Sequence, residues 1–334
     1  MKNLKKNVVA LLLVSLMAAV VTGCGGEKSK AADGEKKPVI GIIQYVEHSA
    51  LDAAREGFIQ ALADNGYVDG ETVTIDVQNA QGDQSNLSSI SDRFVSNKSD
   101  LVLAIATQAT QAIAGKTTDI PILGTAVTDY EIARLVDSND APGGNVTGTT
   151  DMNPIQEQID LLIKLVPEAK TVGVLYTSSE DNSVLQAKMA KEAIEKAGLK
   201  YVEVTVTNSN DVQQATQSIV RQCDAIYVPT DNVFASAMPV VHGITAESKT
   251  PVICGESGMV QNGGLATLGI NYKDLGYQTG LMAVKILKGE AEPATMPIEK
   301  AAKFDFAING TVAKEIGLEI PADLQQYVIQ DEEQ

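Results

Sequence analysis

Residues 62–107 read LADNGYVDGETVTIDVQNAQGDQSNLSSISDRFVSNKSDLVLAIAT, and residues 194–230 read IEKAGLKYVEVTVTNSNDVQQATQSIVRQCDAIYVPT. The two stretches follow one plan. Each begins where a helix closes on glycine, at Gly66 and Gly198, the residue type that best tolerates the left-handed turn after a helix. Each continues through a β-branched strand, Val73–Val77 or Tyr201–Val206, and a helix, around Leu87–Val95 or Val212–Val220. A polar link, Ser99-Asp100 or Cys223-Asp224, then leads through an apolar strand to a threonine, Thr107 or Thr230. Alternating strand and helix predicts βαβ units and a parallel sheet. Its recurrence predicts two doubly wound α/β lobes.

Working outward, further strands are expected at Val39–Ile43, Leu101–Ile105, Ile120–Leu123, Val172–Tyr176, Ala225–Val228, Pro251–Cys254 and Ala266–Ile270. Several are continuous apolar runs, as strands buried on both faces require. Leu51, Ala54, Phe58 and Leu62 recur at helical spacing, as do Ile155, Ile159, Leu162 and Val166. One larger sheet would also accommodate the repeat. The stretch Pro142 to Thr150 (PGGNVTGTT) instead reads as a strand-like crossover, so that the chain forms two lobes about a hinge.

Composition narrows the setting. Lys2, Lys5 and Lys6 precede an apolar run, Val8 to Val21, followed by Thr22, Gly23 and Cys24. A basic start, a short apolar core and small residues before a cleavage point predict a signal peptide over residues 1–23. The run is shorter than the ~20 residues of a spanning helix. Val21-Thr22-Gly23-Cys24 resembles the bacterial lipobox, which makes Cys24 the expected lipidation site and residues 24–37 a flexible tether, since Gly25 to Lys37 has no apolar residue larger than alanine. Losing three lysines and no acid takes the net charge from −17 to −20. Such a balance argues against nucleic acid. Cys223 and Cys254 read as small core residues. Nothing resembles a catalytic motif: there is no Gly-x-Ser-x-Gly, no Gly-x-x-x-x-Gly-Lys-Ser/Thr and no His-Glu-x-x-His. Two distant histidines without a cysteine cluster predict no metal site, and no cofactor is expected.

In parallel α/β lobes, ligands bind beyond the carboxyl ends of the strands. Those ends are polar here: Gln44 to Ser49, Thr107-Gln108, Thr125 to Asp129, Thr177 to Ser183, Pro229 to Asn232 and Gly255 to Gly258. They supply the candidate ligand contacts Gln44, His48, Thr107, Gln108, Thr128, Asp129, Ser178, Ser179, Asp231, Asn232 and Glu256. Each has a plainer reading. Serine, threonine and aspartate at such places also cap helices, Asp231 being well placed to cap a helix beginning near Val233. Glu256 fits a solvated loop, and His242 within its helix reads as structural.

Ile40 to His48, Leu51-Asp52, Gly82-Asp-Gln84, Ala104 to Thr107, Pro142 to Gly148, Ser178-Ser-Glu-Asp-Asn-Ser183, Val228 to Asn232 and Gly263 to Ala266 together resemble the ABC-transporter substrate-binding lipoproteins of the tryptophan/tyrosine-type importers. The resemblance implies the type I periplasmic-binding fold, two Rossmann-like lobes joined by three crossovers. It implies a first lobe over 38–147 and 259–298, and a second over 148–258 and 299–330. It also implies that His48, Thr107, Thr128, Ser178, Ser179, Asp231 and Glu256 lie at the cleft of a non-enzymatic, monomeric receptor, lipid-anchored outside the cytoplasm. That receptor would hand an aromatic L-amino acid (tryptophan, tyrosine or phenylalanine) to an ABC permease. Helix starts near Thr107 and Thr128 would hold the ligand carboxylate and Asp231 its ammonium. The sequence departs from the family pattern at Gln108, where proline is expected, and in the acidic loop Gly255-Glu-Ser-Gly258. The alternatives are a nucleoside or other small heterocycle as ligand, or a sensor feeding a kinase.

Overall fold

The computed structural model describes residues 37–329. The expected signal peptide, the lipidated Cys24 and residues 25–36 of the tether lie outside the described residues. From Pro38 the chain is one compact unit built around two sheets.

The first sheet begins with β1 (Val39–Gln44), α1 (Ser49–Asp64), β2 (Thr74–Asn79), α2 (Gln84–Ser96), β3 (Leu101–Ile105), α3 (Thr107–Ala114), β4 (Ile122–Val127) and β5 (Val146–Thr150). The second is built from α4 (Ile155–Leu165), β6 (Thr171–Thr177), α5 (Asp181–Lys196), β7 (Lys200–Val206), α6 (Val212–Ile219), β8 (Ala225–Val228), α7 (Asn232–Ser236), α8 (Met238–Ser248), β9 (Val252–Cys254), α9 (Ser257–Gln261) and β10 (Ala266–Gly269). The chain returns to the first lobe as α10 (Tyr272–Leu287) and β11 (Glu299–Lys300). It ends in the second with β12 (Asp305–Asn309), α11 (Gly310–Ile316) and β13 (Val328–Ile329).

The strand orders are β11-β5-β4-β3-β1-β2 and β13-β12-β10-β9-β8-β6-β7. Within each, the first five strands in sequence take the same 2-1-3-4-5 arrangement, so the sequence repeat is a repeat of topology. All pairings are parallel except β10 with β12. Apolar content follows position. The central strands β3 and β4 are buried at every residue, whereas the edge strand β2 is buried at none.

Strand pairing draws the lobe boundaries differently from the sequence expectation. Residues 148–150 finish β5 in the first sheet, and β11 at 299–300 pairs beside them. Residues 266–269 form β10 of the second sheet, not part of the first lobe. The crossings therefore fall just after Thr150, Gly269 and Lys300. Each comes at the end of a strand, without the glycine or proline cluster that marks a surface loop. Pro142 to Thr150 is correspondingly not itself the crossover, because its second half is β5.

Helix α10 packs along α1 through glycine. A β-carbon at Gly276 would overlap the Ala54 carbonyl, and one at Gly57 would overlap the Lys273 carbonyl. These two absent side chains let a late segment lie backbone to backbone against an early one.

Candidate ligand cleft

The strands of both sheets point their carboxyl ends at one another across the gap between lobes. The loop after β1 and the end of β4 bring His48 and Ala126 to the cleft from one side, with Leu51 on α1. The second lobe supplies Asn182, Thr230, Asp231, Asn232, Ala235, Glu256 and Met259, while Asp151 and Tyr272 enter from the crossovers. Tyr272 donates its hydroxyl to Asp151 Oδ2 at 2.8 Å, tying two crossovers together at the back of the site.

Five hydrogen bonds join the two lobes among the described residues, one of them from Asn262 Nδ2 to Ser49 Oγ at 3.4 Å. His48 Nε2 meets Asn232 Oδ1 at 3.3 Å, and Gln108 Nε2 donates to Asn182 Oδ1 at 3.1 Å. Gln186 Nε2 donates to Thr128 Oγ1 at 3.1 Å, and Gln111 Nε2 to Asp181 Oδ2 at 3.0 Å. The described lobes are thus drawn together.

The eleven expected contacts divide into three groups. His48, Asp231, Asn232 and Glu256 line the cleft. Thr107 and Asp129 border an adjoining recess that shares Asn182 with it, while Thr128 and Gln108 reach across to Gln186 and Asn182. Gln44, Ser178 and Ser179 do not line it. Gln44 is turned beneath the cleft, donating to Asp52 and Val46 and accepting from Arg55. Ser178 and Ser179 bond the Val206 and Thr207 carbonyls, because the chain leaving β6 first runs beside the edge strand β7.

Two assigned roles also change. Asp231 is a helix cap: Phe234 N donates to Oδ1, and Thr177 occupies both oxygens through its amide and hydroxyl. No helix opens at Thr128, which is followed by a turn and gives its hydroxyl to Asp151 Oδ1 at 2.9 Å. A helix does open at Thr107. Its N-cap is Ala106, held at φ 87° without a capping side chain, and the buried Thr107 Oγ1 has no partner.

Four buried acids mark the site, two of which, Glu180 and Asp151, sequence reasoning passed over. Glu180, Asp151, Asp231 and Glu256 are only 1%, 3%, 2% and 2% exposed. None joins the ion pairs found among the described residues, and no lysine or arginine lines the cleft. Burial, reinforced by Asp231, pushes the Glu180 carboxyl up to about 8, and burial pushes Glu256 up to about 7. Asp151 and Asp231 are raised from the same cause. The His48 imidazole is pushed the other way, to about 4, again by burial. At neutral pH the only basic group at the site is therefore uncharged. Glu180 could have been noticed in the sequence, since it stands inside the strand-end run from Thr177 to Ser183. Asp151 carried no signal beyond following a strand.

Two lobes of like topology, crossed three times by the chain and facing each other across a closed polar cleft, define a hinged solute receptor. The chain belongs to the ABC transporter substrate binding protein family, whose family model matches residues 39–331. It is 40% identical to the tyrosine-binding protein of Clostridioides difficile strain R20291, over 98% of this chain and 97% of that one. The ABC domain in complex with L-Trp from Streptococcus pneumonia is 41% identical, with a TM-score of 0.85 over 88% of this chain and 100% of that one. The ligand-free, open structure of a substrate binding protein with adhesive properties from Clostridium difficile is 47% identical. It covers 88% of this chain and 99% of its own, yet scores 0.68. Rotating two rigid lobes lowers such a score without altering either lobe. The lobes here are accordingly disposed more as in the L-Trp complex than as in the open structure.

Proposed function

We propose that this receptor binds an aromatic L-amino acid, tyrosine or tryptophan, in its interlobe cleft and delivers it to an ABC permease. The observation that carries this reading is the set of buried carboxyl groups with no lysine or arginine beside them. A ligand bringing its own ammonium gives these groups a cation to face, whereas a neutral nucleoside gives them none. The uncapped start of α3, with the bare hydroxyl of Thr107, suits a carboxylate. Leu51, Ala126, Ala235 and Met259 offer apolar surface for a ring. The relatives named for tyrosine and crystallised with L-Trp favour the same class.

The chain contains no tryptophan, so bound L-tryptophan would be the only indole in the sample. Its emission should shift to the blue on binding. L-tyrosine and L-tryptophan should both raise the melting temperature, because ligand at a hundredfold over Kd stabilises the native state by about 2.7 kcal/mol. The D-isomers should do neither. A nucleoside that raises the melting temperature where no aromatic amino acid does would replace this reading.

The same proposal places the receptor outside the cytoplasm as a monomer, held to the membrane by lipid on Cys24. Its basis is the apolar run Val8 to Val21 and the segment Val21-Thr22-Gly23-Cys24. Cys24→Ala should move the protein from the membrane to the soluble fraction; continued membrane association would remove the anchor from the proposal.

A further inference from the structure

Three of the four buried carboxyl groups have both oxygens engaged. Asp151 receives the hydroxyls of Thr128 and Tyr272, and Asp231 is held by Thr177 and Phe234. Glu256 accepts the Gly258 and Met259 amides. Glu180 differs. Its Oε2 accepts from the Asn232 amide at 3.2 Å, from Asn232 Nδ2 at 2.8 Å and from Asn182 Nδ2 at 3.3 Å. Its Oε1 is buried and has no hydrogen-bond partner. A bare carboxylate oxygen in such a place is costly, and protonation removes the cost.

The groups around Glu180 explain why no other charge relieves it. Its own helix brings Asn182 and Ser183, and the loop after β8 brings Asp231 and Asn232. Across the cleft stand the Tyr45 phenol and, behind Asn232, the neutral His48. Since Asn232 gives its amide N–H to Glu180, its oxygen faces His48, whose Nε2 must carry the hydrogen. His48 Nδ1 is then an acceptor, and it too is buried without a partner. The bare atoms on the two sides of this wall are therefore acceptors, calling for a donor with positive charge. Asn182 and Asn232, which cover Glu180, both line the cleft. Asn182, Ser183, Asp231 and Asn232 all belong to the second lobe, so the arrangement survives opening.

We propose that Glu180 is the counter-charge of the ligand's ammonium, held as the neutral acid in the unliganded receptor and giving up its proton to solvent as the ammonium enters. The O–H bond of the carboxyl breaks, the proton passes to buffer, and the ligand keeps all three of its ammonium hydrogens. The Glu180 carboxylate then faces the ammonium, and the cleft ends with one more negative charge than before, because the ligand's own carboxylate enters with it. This rests on the amino-acid reading above and adds the residue and the proton.

Calorimetric titration of the full-length protein with L-tryptophan, in phosphate and in Tris, counts the protons. Release should be roughly nine-tenths of a proton per ligand at pH 7 and should give way to net uptake at pH 9.5, where the free amino acid has lost about half of its ammonium charge. Affinity should weaken about tenfold from pH 7 to pH 6. Glu180→Gln should abolish most of the release and flatten the affinity profile, while Glu247→Gln, exposed on α8 away from the cleft, keeps both. Release that is absent in the wild type, or that disappears in Glu256→Gln and persists in Glu180→Gln, overturns the assignment. Failure of every aromatic amino acid to bind overturns the amino-acid reading instead. A measurement without ligand then decides the proton: carboxyl carbon resonances should include one glutamate titrating near pH 8, as burial and Asp231 dictate, and missing from Glu180→Gln. No such resonance means no stored proton.

Discussion

Burying Glu180, Glu256, Asp151 and Asp231 together makes the folded protein hold protons that its unfolded chain would release. Such groups contribute stability at low pH, which is lost as pH rises through their folded values, for Glu180 from its ordinary 4.5 toward about 8. His48 acts oppositely: lowered from 6.5 to about 4, it contributes stability above 6.5 that is lost as pH falls. Above pH 6.5 only the carboxyl effect remains. The melting temperature of the ligand-free protein should therefore fall between pH 6.5 and pH 8, and fall less in Glu180→Gln. A flat profile in both would mean that these acids are ionised throughout. At this scale the sequence was legible in part. Asp231 could be placed at a strand end and given two roles, of which the cap is the one its oxygens perform. Ser178, Ser179 and Glu180 were equally polar neighbours, and only the path of the chain beside β7 decides that the serines face outward while the glutamate turns in.

The helix pair α1 and α10 shows how an element can depend on an atom that is absent. Gly276→Ala would set a methyl group against the Ala54 carbonyl, which is backbone and cannot rotate away. Overpacking of this kind costs about 1–3 kcal/mol, and should lower the melting temperature by several degrees. Gly243→Ala, in α8, meets nothing within 4 Å and should be neutral or slightly stabilising, since alanine favours helix. Equal melting temperatures for the two variants would show that α1 and α10 do not approach so closely. The long elements were readable because burial imposes its period on them: β3 is apolar throughout, and α4 repeats Ile155, Ile159 and Leu162. The strands β11 and β13 were not, being two residues long and half-exposed or exposed, and β12 opens on the exposed Asp305 and closes on Asn309, so that no long apolar run marks it.

In the molecule as a whole, the lobes meet so closely that the space left among His48, Asp231 and Tyr272 is about 20 Å³. That is room for about one water molecule, so any solute must enter through an opened form. The duplicated plan was visible in the sequence because each half repeats its own order of strand, helix and polar link. The crossings were displaced by a few to some ten residues because a strand passing between lobes keeps its strand character up to the last residue. Those crossings leave each lobe in pieces along the chain. The first lobe takes residues 38–150 and then needs α10, which follows the whole β6–β10 core of the second. The second lobe in turn needs β12 and β13 from the end of the chain. In a polypeptide made from its N-terminus, α1 therefore waits for a cover that arrives more than two hundred residues later, at Tyr272–Leu287. Neither lobe can be completed early, and the pocket becomes available only after Ile329 has been made.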